Sequence, residues 1–127
     1  MNYLSYRKAL RILNREREKV GKAISESVEE ARKTGGEAKA EEVYRDEYVR
    51  LEWIDEKIYK LVTRYLINKA TQTFLPTPSL SEKDGLWERS STTGDYYLTD
   101  KGIAEMRGII RKDTKDKWRF FLIGGVS

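Results

Sequence analysis

Nothing in the first seventy residues of this chain breaks a helix as well as Thr34-Gly35-Gly36. Glycine accepts the left-handed geometry that ends a helix, and helical spacing continues on both sides of it. Before it, apolar residues recur at Tyr3, Tyr6, Leu10, Leu13, Val20, Ile24, Val28 and Ala31, with Arg17 interrupting the stripe midway. After it come Tyr44, Tyr48, Leu51, Ile54, Ile58, Leu61 and Tyr65, widened by Val62 and Leu66. The spacing predicts one helix over about 3–33, capped by Asn2, and a second over about 37–70. Each would be roughly 45–50 Å long. Two such helices joined by a short glycine turn must lie antiparallel. Neither stripe is broad enough to stabilise a lone helix, so the hairpin is expected to hold by burying the facing stripes.

The rest of the chain reads as smaller elements. Pro76 and Pro78 forbid a regular helix after Thr71, and Phe74 and Leu75 are expected to fold back on the hairpin. Ser81 is expected to cap a single helical turn that ends at Gly85. Two short strands, 86–89 and 95–98, flank a loop whose Gly94 suits a left-handed position. An isolated β-hairpin is marginal in water, so Trp87 and Tyr97 should pack on a helix. Thr99 is a good N-cap for a third helix over about 100–121. Gly102 in its first turn suggests close approach of the hairpin backbone. The fold class is therefore mainly α, read as one domain over 1–119: hairpin 1–70, linker 71–85, then β-hairpin and helix 86–119.

Composition excludes much chemistry. The 127 residues include no Cys and no His, which removes disulfides, thiolate nucleophiles, the commonest general base and the usual zinc ligands. Charged residues make up 36% of the chain, as in long solvated helices. Glu52, Asp55 and Glu56 lie on adjacent turns, as do Glu41, Glu42 and Asp46; such acids can hold a divalent cation or serve as acid and base. A solvated face of acid-first i,i+4 pairs, such as Glu29–Lys33 and Asp46–Arg50, accounts for them better. Ser25, Ser27, Ser90 and Ser91 show no spacing that supports a Ser–Lys dyad. No cofactor or small-molecule substrate is inferred, and nothing in the sequence speaks for an enzyme. Most aromatics of the second helix sit on its stripe, whereas Trp53 and Tyr59 fall off it and are candidate interface residues.

Charge is distributed along an axis. Residues 1–22 carry seven bases and two acids, whereas residues 23–44 carry three bases and six acids. The hairpin tip is thus acidic and its open end basic. Arg7, Lys8, Arg11 and Arg15 could face nucleic-acid phosphates or anionic lipid head groups. The third helix adds Arg107, Arg111, Lys112, Lys115, Lys117 and Arg119, followed by the uncharged run Phe120-Phe121-Leu122-Ile123-Gly124-Gly125-Val126-Ser127. Bases, then Trp118, then an apolar run match the cytoplasmic entry to a transmembrane helix. A span needs roughly 20 residues, so 120–127 are expected to be the first turns of one. Trp118, Phe120, Phe121, Leu122 and Ile123 are the candidate membrane-entry residues.

Two local resemblances accompany this reading. Tyr97-Leu98-Thr99-Asp100-Lys101-Gly102 before a helix resembles the end of a winged-helix domain, which would imply nucleic-acid binding. Phe74-Leu75-Pro76-Thr77-Pro78 stands where such a domain has its recognition helix. Leu98-Thr99, Gly102, Arg107, Ile110-Arg111-Lys112 and the apolar exit resemble small bacterial proteins with a helical cytosolic head and a C-terminal anchor. That resemblance implies the cytoplasmic face of a bacterial inner membrane. The expectation is a membrane-tethered cytosolic interaction or oligomerisation module, homo-oligomeric or bound to a protein partner. The alternative is a soluble, cytoplasmic nucleic-acid-binding protein that uses the β-hairpin as a wing and the basic helix as a phosphate contact.

Overall fold

The computed structural model describes residues 1–119, with the side chains of residues 118 and 119 outside the description. Its elements are α1 (Tyr3–Gln72), β1 (Trp87–Arg89), β2 (Tyr96–Leu98) and α2 (Asp100–Arg119). The chain divides into two compact units, Met1–Leu61 and Val62–Ser127.

The first unit is a helical hairpin. Asn2 caps α1 as its sequence suggests: the Ser5 N–H donates to Asn2 Oδ1 at 2.8 Å. Helical geometry continues through Thr34 and Gly35 and breaks at Gly36 alone, with φ 79° and ψ −171°. That pair of angles is open to glycine and closed to nearly every L-residue. The predicted stop was therefore located correctly, but it is one residue wide. The two arms return antiparallel. Arg17 meets Asp55, and Gly21 lies 4.0 Å, measured from the position of an added Cβ, from Leu51. Tyr6, Ile24, Ala31, Ala40, Ile54 and Leu61 are buried in this unit. Near the turn the buried positions are alanines, which let the two backbones approach closely.

The second unit is built on the last turns of α1. Thr63 is buried, and its Oγ1 accepts the Leu98 N–H at 2.8 Å. Strands β1 and β2 pair antiparallel, with Trp87 opposite Leu98 and Arg89 opposite Tyr96. Trp87 and Leu98 are both buried, alongside Val62, Leu66, Ala70, Leu86, Ile103 and Met106. The Trp87 indole N–H has no acceptor among the described residues. In the loop, the Thr92 and Thr93 N–H groups donate to Ser90 Oγ, and Gly94 takes φ 75°. Ser90 thus holds the turn together.

Two details of the connector differ from the sequence expectation. Phe74 does not fold back. It is 96% exposed and sits at φ 58°, where the Leu75 N–H donates to Ala70 O and the Phe74 N–H to Thr71 O. This is the Schellman termination of α1, with a phenylalanine in the place that glycine usually takes. Ser81–Asp84 form a turn instead of a helical segment: the Gly85 N–H reaches Glu82 O at 3.4 Å.

Thr99 caps α2 by accepting the Gly102 N–H at 3.2 Å and donating its own hydroxyl hydrogen to Gly85 O. The expected close approach at Gly102 is present. A Cβ there would lie 2.2 Å from Leu86 O and 2.9 Å from Leu98 Cδ2. The first of these is backbone and cannot rotate away. Gly102→Ala should therefore lower the unfolding free energy by about 1–3 kcal/mol or more, the usual cost of overpacking. Urea denaturation with an unchanged m-value would show it, and a neutral result would mean that the helix does not pack this closely on residue 86.

Candidate functional site

Two surfaces merit description, one in each unit. The first is an open groove of about 480 Å³ beside the hairpin turn, lined by Val28 and Arg32 from the first arm and by Glu37, Ala40, Tyr44 and Tyr48 among others from the second. Because Ala40 is the residue packed inward, Tyr44 and Tyr48 are displaced to the edge of the seam and stay exposed. The sequence stripe places both rings in the core; the structure corrects this. Their centroids are 5.4 Å apart with planes tilted by 32°, a favourable aromatic arrangement.

Charge is organised around the turn. Arg32 Nε donates to Glu37 at 2.6 Å and Arg32 NH1 to Glu29 at 2.6 Å. Hydrogen bonding to Glu37, then its charge and that of Glu29, raises the Arg32 guanidinium above its ordinary value. One arginine thus ties residues on both sides of Gly36. Glu29 pairs with Arg32 instead of Lys33, and Arg50 pairs with Glu47 instead of Asp46. Further along the seam, Arg17, the residue that interrupts the apolar stripe, forks onto Asp55. The hydrogen bond to Asp55, and then its charge, raises the Arg17 guanidinium as well. Asp55 and Glu42 are therefore occupied by cations. No group of three or more acids among the described residues is arranged to hold a metal ion.

Of the two candidate interface residues, Trp53 is 57% exposed and Tyr59 is half-buried. On the same arm Val49 is also exposed, four residues before Trp53 and on its side of the helix.

The second surface is the outer half of α2. Among the described side chains of this helix, the last buried one is Met106, and beyond it only Ile109, Ile110 and Asp113 are half-buried. Arg107, Arg111, Lys112 and Lys115 are exposed. Arg107, Arg111 and Lys115 follow at every fourth position and so share one face. Lys117 is drawn aside, its ammonium pairing with Asp113 at 2.9 Å. Trp118 and Arg119 are in the helix, and Phe120, Phe121, Leu122 and Ile123 lie outside the described residues. No helix among the described residues is long and apolar enough to cross a membrane.

The chain matches no family model, no curated protein and no solved structure.

The two surfaces therefore stand on their own geometry. The signal that sequence reasoning missed at the groove was Ala40, which with Ala31 of the first stripe draws the arms together and leaves the neighbouring rings outside. A pair of substitutions checks this. Tyr44→Ala should cost less than about 1 kcal/mol, as surface changes do, while Ile54→Ala should cost about 2–5 kcal/mol. Chemical denaturation distinguishes them, and equal losses would return Tyr44 to the core.

Proposed function

We propose that this chain is a membrane-tethered module that presents a helical hairpin at the cytoplasmic face for binding a protein partner or further copies of itself, and that it carries no catalytic activity. The observation that carries the reading is the outer half of α2. Past Met106 it buries little, yet the helix continues to Arg119 with an exposed row of cations. It leads in sequence directly into the uncharged stretch Phe120–Ser127. Cations followed by an aromatic residue and an apolar run suit the head-group region of a bilayer. A helix that served only the small core of its unit would have no use for these last turns.

The interaction half of the proposal rests on the groove. Tyrosine and arginine dominate binding hot spots, and here exposed Tyr44 and Tyr48 line an open concavity with Arg32 and Arg45. The arginines and the acids Glu37 and Glu41 give a partner both signs of charge to meet.

Vesicle co-sedimentation tests the tether. The chain should pellet with neutral phosphatidylcholine vesicles and more strongly with vesicles that contain phosphatidylserine. A form ending at Lys117 should lose the neutral-vesicle binding. The tether is rejected if the intact chain stays in the supernatant with neutral vesicles, or if the shortened form pellets equally well.

A further inference from the structure

We infer a second lipid contact, on the outer face of the first hairpin arm, selective for anionic head groups. Lys8, Arg11, Arg15, Lys19 and Lys22 follow one another at steps of three and four residues. At 100° per residue they fall within an arc of about 80° and form a straight row about 21 Å long. All five are exposed, and none forms an ion pair among the described residues. Glu16 and Glu18 border the row, one turn from Lys19 and from Arg15 and Lys22, so two acids stand beside five bases. Every neighbouring pair in the row is like-charged, an arrangement that opposes helix formation. Like-charged neighbours at these spacings also occur elsewhere on α1, as at Glu26–Glu30 and Lys57–Lys60–Arg64, but no other run on the helix reaches five residues.

Two exposed apolar residues point to the partner, Leu4 within the arc and Ile12 about 20° beyond its edge. Leu4 is 78% exposed and Ile12 is 55% exposed. Side chains of this kind gain nothing from a phosphate backbone in water. At a bilayer they enter the boundary below the head groups while lysine and arginine stems snorkel to the phosphates. A second copy of the chain fits less well. An antiparallel partner that set Lys8 against the acids near residue 30 would face Lys19 with its own copy and bring Arg15 beside Lys22, and Glu29 is already held by Arg32.

This contact extends the membrane reading above and rests on it for the choice of a lipid surface, but it uses different residues, so either can fail alone. The test compares the full chain with K8Q/R11Q/R15Q and with L4S/I12S, using vesicles with and without phosphatidylserine and a DNA duplex of random sequence. Circular dichroism confirms that the exposed substitutions leave the fold intact. The triple variant should lose roughly a hundredfold in partition onto anionic vesicles, from about 1 kcal/mol per cation, with neutral-vesicle binding unchanged. L4S/I12S should weaken anionic-vesicle binding and leave any duplex binding as it was. The proposal is overturned by a triple variant that binds anionic vesicles like the parent, by an L4S/I12S variant that does so, or by a parent chain that prefers the duplex. Loss of neutral-vesicle binding in the parent would reject the C-terminal tether and leave this contact standing if the anionic binding still depends on the row.

Discussion

The chain reversal at Gly36 is the constraint on which the first unit depends. It sets residue pairs equidistant from the turn opposite one another. Arg17 and Asp55 each lie 19 residues from it, and Gly21 and Leu51 each lie 15. That register gives a narrow apolar stripe a counterpart along its length, which neither arm could supply in isolation. It also decides what stays outside. With alanines buried near the turn, the arms approach too closely for rings, and Tyr44 and Tyr48 become the wall of a groove. A residue with a Cβ at position 36 would oppose φ 79° and hence the register itself.

Electrostatics then divides into charges that serve the fold and charges that do not. Arg17 would leave a gap in the seam, but Asp55 receives its guanidinium in a fork. At this level of exposure such a pair contributes at most about 0.2–1 kcal/mol, so its main effect is on register. Arg32 bridges Glu29 and Glu37 across the turn. Against these stand the rows on the first arm and on α2, where like charges at i,i+3 and i,i+4 each cost about 0.2–0.5 kcal/mol. Both proposals place an anionic bilayer against these rows.

Much of the architecture was legible because local rules decided it. Asn2 and Thr99 read as caps and act as caps. Gly102 signalled a close approach that the Leu86 carbonyl makes. The strands were found to within one residue at their starts, since the loop with Gly94 at a left-handed position marks the hairpin between them. The failures came where tertiary packing outweighed pattern. Tyr44 and Tyr48 have the spacing of core residues, but spacing does not reveal how far apart two backbones will sit. Phe74 is apolar and follows a helix, yet the hydrogen bonds that end α1 turn its side chain into solvent. Trp53 was separable from the stripe by its angle alone. The groove was not legible, because it arises from two small alanines on different arms.

The hairpin itself is open to a direct measurement, since the chain has no cysteine to interfere with labelling. Spin labels at Lys19 and Trp53, each 17 residues from Gly36, should report a distance of about 10–25 Å by pulsed electron resonance, the span of two adjacent helices and their labels. A distance near 50 Å, which 34 residues of uninterrupted helix would give at about 1.5 Å each, would contradict the reversal and with it the seam, the groove and the register that joins them.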